Sequence, residues 1–218
     1  MIDYYVGSER AGEITLEILD TRGNLIRGYS SDAAGETMVI PDDPGMRAPS
    51  LERVGTPRLP NGEGMHRFIW DGRHAGPWDE DLRRSGTEGP LAVPGMYRAR
   101  LTVAGRSQTQ SFTFMADPRV VADGLAQQDF ADQLALSIQV RDALSEARMA
   151  TYRVQKARED LRQGVAPERR LADLLAKLGT AEADAYPTPM LIDQLSYLYE
   201  NLDRADREPG TDSYERYT

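Results

Sequence analysis

The hydrophobic period of this chain changes once, near Asp117-Pro118, and that change limits what it can fold into. Before it, apolar residues alternate with polar ones in short runs broken by Gly and Pro. After it, apolar residues recur at helical spacing with almost no Gly. A strand repeats every two residues and a helix every 3.6. The pattern therefore predicts two domains, a β-rich one over 1–117 and a helical one over 118–218.

Two signatures dominate the first part. GMHRFIWDG runs from Gly64 to Gly72 and PGMYRARLTVAG from Pro94 to Gly105. In the first, His66, Phe68 and Trp70 share one face of a strand over His66–Trp70; in the second, Tyr97, Ala99, Leu101 and Val103 share one. Glu13–Leu19 reads as a strand with Ile14, Leu16 and Ile18 together, and Leu25–Tyr29 returns after the turn signal Asp20-Thr21-Arg22-Gly23-Asn24. Met38–Ile40 is a third short strand stopped by Pro41, and the Pro- and Gly-rich stretch 41–63 predicts a long loop without regular structure. Gln108–Phe114 completes the set with Phe112 and Phe114 inward. Roughly six or seven short strands of this kind fit an immunoglobulin-like β-sandwich.

The second part predicts three helices of unequal length. The first runs from near Asp123 to about Gln163, with Val140, Ala147, Val154 and Leu161 every seventh residue and an alanine-rich stripe suited to close packing. Gly164 is its expected C-cap and Pro167 a first-turn residue of the next helix, whose face is Leu171, Leu174, Leu175 and Leu178. After Tyr186-Pro187, Thr188 is the expected cap of a third helix reaching Asp206, with Leu191, Leu195, Leu198 and Leu202 along one side. An elongated α-helical hairpin or three-helix bundle is the predicted form. Tyr197 and Tyr199 cannot share a helical face, so one is expected to pack and the other to be exposed.

Composition narrows the function classes. A net charge of −9 over 218 residues opposes nonspecific nucleic-acid binding, which needs basic side chains to neutralise phosphates. Cysteine is absent, so disulfides, thiolate metal sites and cysteine nucleophiles drop out together. No apolar run reaches transmembrane length, and MIDYYVGSER lacks the basic-then-apolar pattern of a signal peptide.

These residues resemble a known family. GMHRFIWDG followed by PLAVPGMYRARLTVAGRSQTQSFTF is similar to the immunoglobulin-like domain of the flagellar hook-capping type. IDYYV at Ile2–Val6, ITLEILDTRGNLIR at Ile14–Arg27, ADPRV at Ala116–Val120 and DFADQLALSIQVRDALSEA at Asp129–Ala147 extend the likeness. In this order they resemble the C-terminal region of bacterial sortilin-like proteins with BNR repeats, often labelled glycosyl hydrolases. The resemblance implies a periplasmic or extracellular setting and a β-propeller or larger assembly as partner. The propeller that would carry hydrolase chemistry has no counterpart in these residues, so no catalytic residue is carried over. A final helix of the family is missing after Tyr217, which sets the expectation of a chain truncated at its C-terminus.

Candidate chemistry concentrates in the loop 72–93, with His74, Trp78 and the acidic run Asp79-Glu80-Asp81. Trp78 beside carboxylates suits stacking on a sugar or docking a partner; folding back over the sheet is the plainer expectation. Trp70 reads as core and Asp71-Gly72 as a turn. Consecutive acids do not converge on one calcium ion, and His66 with His74 lacks a third zinc ligand, so no metal or other cofactor is expected. No G-x-S-x-G, Walker or G-x-G-x-x-G motif occurs.

The expectation is a non-catalytic structural and protein-interaction module, an accessory or scaffold part of an extracytoplasmic bacterial protein. Its candidate binding residues are Trp78, His74, Asp79 and Tyr199. The alternative is a carbohydrate-binding accessory domain of a glycosidase with Trp78 as the platform, and a stand-alone glycoside hydrolase ranks last.

Overall fold

The structure, a computed structural model, describes residues 1–7, 12–32, 37–39, 52–54, 57–159, 166–180 and 188–218, the side chains of 37–39, 52–54 and 166–168 excepted. Eight strands come first: β1 (Ile2–Val6), β2 (Ile14–Leu19), β3 (Leu25–Ser30), β4 (Thr37–Val39), β5 (Glu52–Val54), β6 (Gly64–Phe68), β7 (Gly95–Val103) and β8 (Arg106–Phe114). Five helices follow: α1 (Pro118–Ala122), α2 (Gln127–Glu159), α3 (Ala166–Leu178), α4 (Leu191–Asp203) and α5 (Thr211–Tyr217). The fold is mixed, β then α. It divides into two compact units, Met1–Gly76 with Asp81–Ala116, and Pro77–Glu80 with Asp117–Thr218. Among the described residues no helix is long and apolar enough to cross a membrane.

All described sheets are antiparallel: β3-β2-β7-β8, β1-β6 and β4-β5. Alternation puts Ile14, Leu16 and Ile18 of β2 on one face, and all three are fully buried. Their core includes Tyr29, Tyr97 and Ala99 from the same sheet and Tyr4, Val6 and Phe68 from β1 and β6. The rings of Tyr29 and Phe68 meet at 4.5 Å. Trp70 fills the far end, 5.4 Å from both Tyr97 and Phe114 and 5.9 Å from Phe112. Each fully buried Ile or Leu contributes about 1.5–3 kcal/mol, so β2 is the main apolar anchor of this unit.

In the helical unit the apolar stripe of α2 pairs with that of α4. Leu136, Val140, Leu144 and Ala147 pack with Leu195, Leu198, Tyr199 and Leu202. Of the expected faces, Leu191 and Leu174 are instead exposed, at 45% and 49%. Asp117 opens α1 by accepting the backbone N–H of Arg119 at 2.9 Å, with Pro118 in the first turn.

Several boundaries differ from expectation. β5 lies inside the stretch predicted to be irregular, because three residues are too few to display an alternating period. The strand of the first signature ends at Phe68, before Trp70. The long helix begins at Gln127, where the Asp129 carboxylate accepts the Ala126 N–H at 2.6 Å. The helix expected to be capped by Thr188 has Met190 as its N-cap instead, with no side-chain cap of its own. Thr180, just beyond α3, accepts the N–H of Met190 itself on its Oγ1 at 2.8 Å. That helix ends at Asp203, short of Asp206, and the tail forms α5. Ile40, Leu161, Gly164, Tyr186 and Pro187 lie outside the described residues.

Trp70 and Trp78 fall in different units, so each reports one of them. In a Trp78→Phe background, urea unfolding followed by Trp70 fluorescence is expected to show Leu16→Ala destabilising by about 2–5 kcal/mol. Exposed Leu25→Ala should stay within about 0.5 kcal/mol.

Candidate functional site

The loop after β6 is ordered by backbone geometry. Asp71 accepts the Arg73 N–H at 3.0 Å, closing an Asx turn, and Trp70 Nε1 donates to the Arg73 carbonyl at 3.0 Å. From there two legs run antiparallel. The Ala92 N–H donates to Gly72 O at 2.7 Å, the His74 N–H to Pro90 O at 2.9 Å and the Gly76 N–H to Gly86 O at 2.9 Å. The legs touch so closely that a Cβ on Gly76 would lie 1.6 Å from Thr87 O, and one on Gly89 1.9 Å from His74 O. Only glycine permits that approach.

A buried arginine holds the legs together. Arg27, from β3, donates through Nη1 to His74 O at 3.0 Å and to Gly86 O. Arg73 Nη1 adds a bond to Gly89 O at 2.7 Å. At the tip, Asp81 O accepts the Arg84 and Ser85 N–H groups, and the Asp81 carboxylate takes the Arg83 guanidinium at 3.0 and 2.7 Å. That hydrogen-bonded cation pulls the Asp81 carboxyl down to about 2.

The four candidate binding residues fall in different places. His74 is buried in the loop's first leg, at 8% exposure, where it serves the backbone ladder rather than a surface. Tyr199 is equally buried, in the α2–α4 core; Tyr197 is the exposed one of the pair. Trp78 is engaged in side-chain packing. It belongs to the helical unit, where its N–H donates to Ser145 Oγ at 3.0 Å and its ring meets that of Tyr152 at 5.8 Å, edge to face. Asp79 pairs with Arg148 at 3.4 Å, both side chains largely covered. Ser145, Arg148 and Tyr152 are spaced by three and four residues along α2, one helical stripe. Both histidine and tryptophan are therefore taken up by packing. Among the described residues, no group of three or more His, Asp or Glu is placed to hold a metal ion.

A concavity lies elsewhere, in the β unit. A cleft of about 500 Å³ opens between β1 and the β2-β7-β8 face, lined by Tyr4, Tyr5, Met65, Leu101, Gln108 and Gln110 among others. Its floor follows from strand register. Leu16 on β2 pairs with Leu101, which pairs with Gln108; Ile18 pairs with Ala99, which pairs with Gln110. Two core rows thus end in amides. At the rim, Arg67 donates to both Asp3 oxygens at 2.7 and 3.0 Å, holding that carboxyl below its usual range. Tyr4 OH donates to Pro60 O at 2.6 Å, and burial pushes the phenol up to about 12.

The chain matches no known protein family, no curated protein and no solved structure. The site is therefore read from its own residues. Sequence reasoning missed the cleft, although one signal was present. Gln108 and Gln110 occupy the inward phase set by Phe112 and Phe114, where an apolar residue is the rule.

Two outcomes follow for the loop. Gly76→Ala forces the two legs apart and is expected to cost at least about 2 kcal/mol, and Arg27→Met about 1–3 kcal/mol, in urea unfolding reported by Trp70. Because the folded carboxyl of Asp81 is depressed, its bond to Arg83 stabilises the loop tip above the ordinary value of 3.8 and is lost as pH falls from there through about 2. Carboxyl carbon NMR should give a midpoint near 2, returning toward 3.8 in Arg83→Ala.

Proposed function

We propose that this protein is a non-catalytic structural and protein-interaction module. The observation that carries this reading is how its chemically capable side chains are used. His74 sits in a backbone ladder, Asp79 is paired with Arg148, Asp81 with Arg83, and Asp117 caps a helix and binds Arg119. These groups hold the chain in shape. The helical unit meanwhile exposes Leu174, Leu191, Tyr197 and Tyr214, side chains suited to contact with another protein.

In this reading the first unit is an immunoglobulin-like β-sandwich and the second a helical hairpin or small bundle. One core shared by β1-β6 and the four-stranded sheet supports the former, and the leucine packing of α2 on α4 the latter. The family proposed is the C-terminal region of sortilin-like BNR-repeat proteins, with a periplasmic or extracellular setting and a β-propeller or larger assembly as partner. Its motif ADPRV supplies the Asp117 cap and the start of α1, a structural role consistent with an accessory part.

The test is capture on the immobilised full chain from a bacterial envelope extract, read by mass spectrometry. A Leu174→Asp/Tyr197→Asp variant with unchanged far-UV circular dichroism serves as the control. A protein retained by the wild type and lost from the variant is the expected result. Turnover of aryl-glycosides by the chain would overturn the non-catalytic reading.

A further inference from the structure

We propose that the cleft between β1 and the β7-β8 edge binds a neutral sugar unit. The inference is independent of the scaffold reading and rests on four features of the cleft.

The first is a break in the pattern of the sheet. Along each cross-strand row burial is complete at β2, with Leu16 and Ile18 fully covered, and ends at β8 in exposed Gln108 and Gln110. A core face that closed by itself would end these rows in apolar side chains. Departures of this kind concentrate at functional positions.

The second is the chemistry of the amides. Each glutamine offers two N–H donors and a carbonyl acceptor. Two of them at positions i and i+2 on one strand face stand about 7 Å apart along the backbone. Donor and acceptor together complement hydroxyl groups, which are both at once. A wholly apolar ligand would strip these amides of water and return nothing.

The third is the apolar and aromatic lining. Tyr4, Tyr5, Met65 and Leu101 are among the residues that line the cleft, and Tyr5 is 63% exposed. Tyrosine presents a broad apolar face with a polar tip, as the C–H face of a pyranose requires. Tyr4 is immobilised by its bond to Pro60, so that side of the wall is pre-formed.

The fourth is charge. Asp3 in the lining is matched by the two-point bond from Arg67. Neutralised in this way, the lining favours an uncharged ligand over a phosphate, an acidic sugar or a cation. The volume of about 500 Å³ lies within the usual range for small-ligand sites.

The experiment is titration of the full chain, labelled with ¹⁵N, with maltotriose, cellotriose and chitotriose. The side-chain amide signals of Gln108 and Gln110 are followed by NMR. At least one trisaccharide is expected to shift them saturably in the millimolar range. Binding should weaken by about tenfold or more in Gln108→Ala/Gln110→Ala and in Tyr5→Ala, each lacking one of the invoked contacts. All are exposed side chains, and unchanged far-UV circular dichroism verifies the fold. Trp78→Ala should leave binding as it is. The proposal fails if none of the three sugars gives a saturable shift, if the variants bind as the wild type does, or if Trp78→Ala abolishes binding. It fails equally if an extended Ser/Thr-rich peptide, and no saccharide, shifts the β8 amides, which would assign the edge to strand addition.

Discussion

The Arg27 guanidinium, inside the β unit, is the interaction on which the loop between the two strand signatures depends. It leaves β3 with little solvent exposure and donates to carbonyls on both legs of that loop, His74 and Gly86. A buried cation is costly unless hydrogen bonds replace its water. Here the replacement comes from backbone carbonyls on both legs of the loop, of which Gly86 O also takes the Gly76 N–H. Two glycines then let the legs approach to backbone contact. The same loop carries Pro77–Glu80, which packs within the helical unit on the Ser145–Tyr152 stripe of α2.

Placement within the loop accounts for the fate of the residues that looked chemically promising. Histidine, tryptophan and consecutive acids within a few positions suggest a site when read along the chain. In the fold His74 is in the ladder of the β unit, while Trp78 and Asp79 contact α2 in the other. The cleft at β1 and β8 is assembled the opposite way, from residues about a hundred positions apart. Asp3, Tyr4 and Tyr5 come from the first strand, Gln108 and Gln110 from the last.

The helical unit follows a simpler rule. Leu136, Val140, Leu144 and Ala147 of α2 and Leu195, Leu198 and Leu202 of α4 recur at helical spacing and bury one stripe. Tyr197 and Tyr199 illustrate it: two residues apart, they lie about 200° apart around the axis, and only Tyr199 reaches the core. The cap of α4 breaks the local rule. The N-cap is Met190, which has no side-chain acceptor, and its own N–H goes to Thr180 Oγ1 at the end of α3.

Local periodicity is written into the residues themselves, so the sequence alone determined the passage from strands to helices near Asp117, the faces of β2 and β7, and the side of α4 that buries Leu195, Leu198 and Leu202 though not Leu191. It also marked Trp70 as core, since an aromatic at the inward phase of a strand has few other places to go. Short or irregular pieces were not legible: β5 has three residues, and the backbone ladder of 72–92 has no period to detect. Only the tertiary structure decided which strands are neighbours, that Trp78 meets Tyr152, and that two core rows run out into glutamines beside β1. The physical reason is range. Alternation and helical spacing act between residues a few positions apart, whereas strand register, loop closure by Arg27 and the opening of the cleft depend on contacts between residues tens of positions apart.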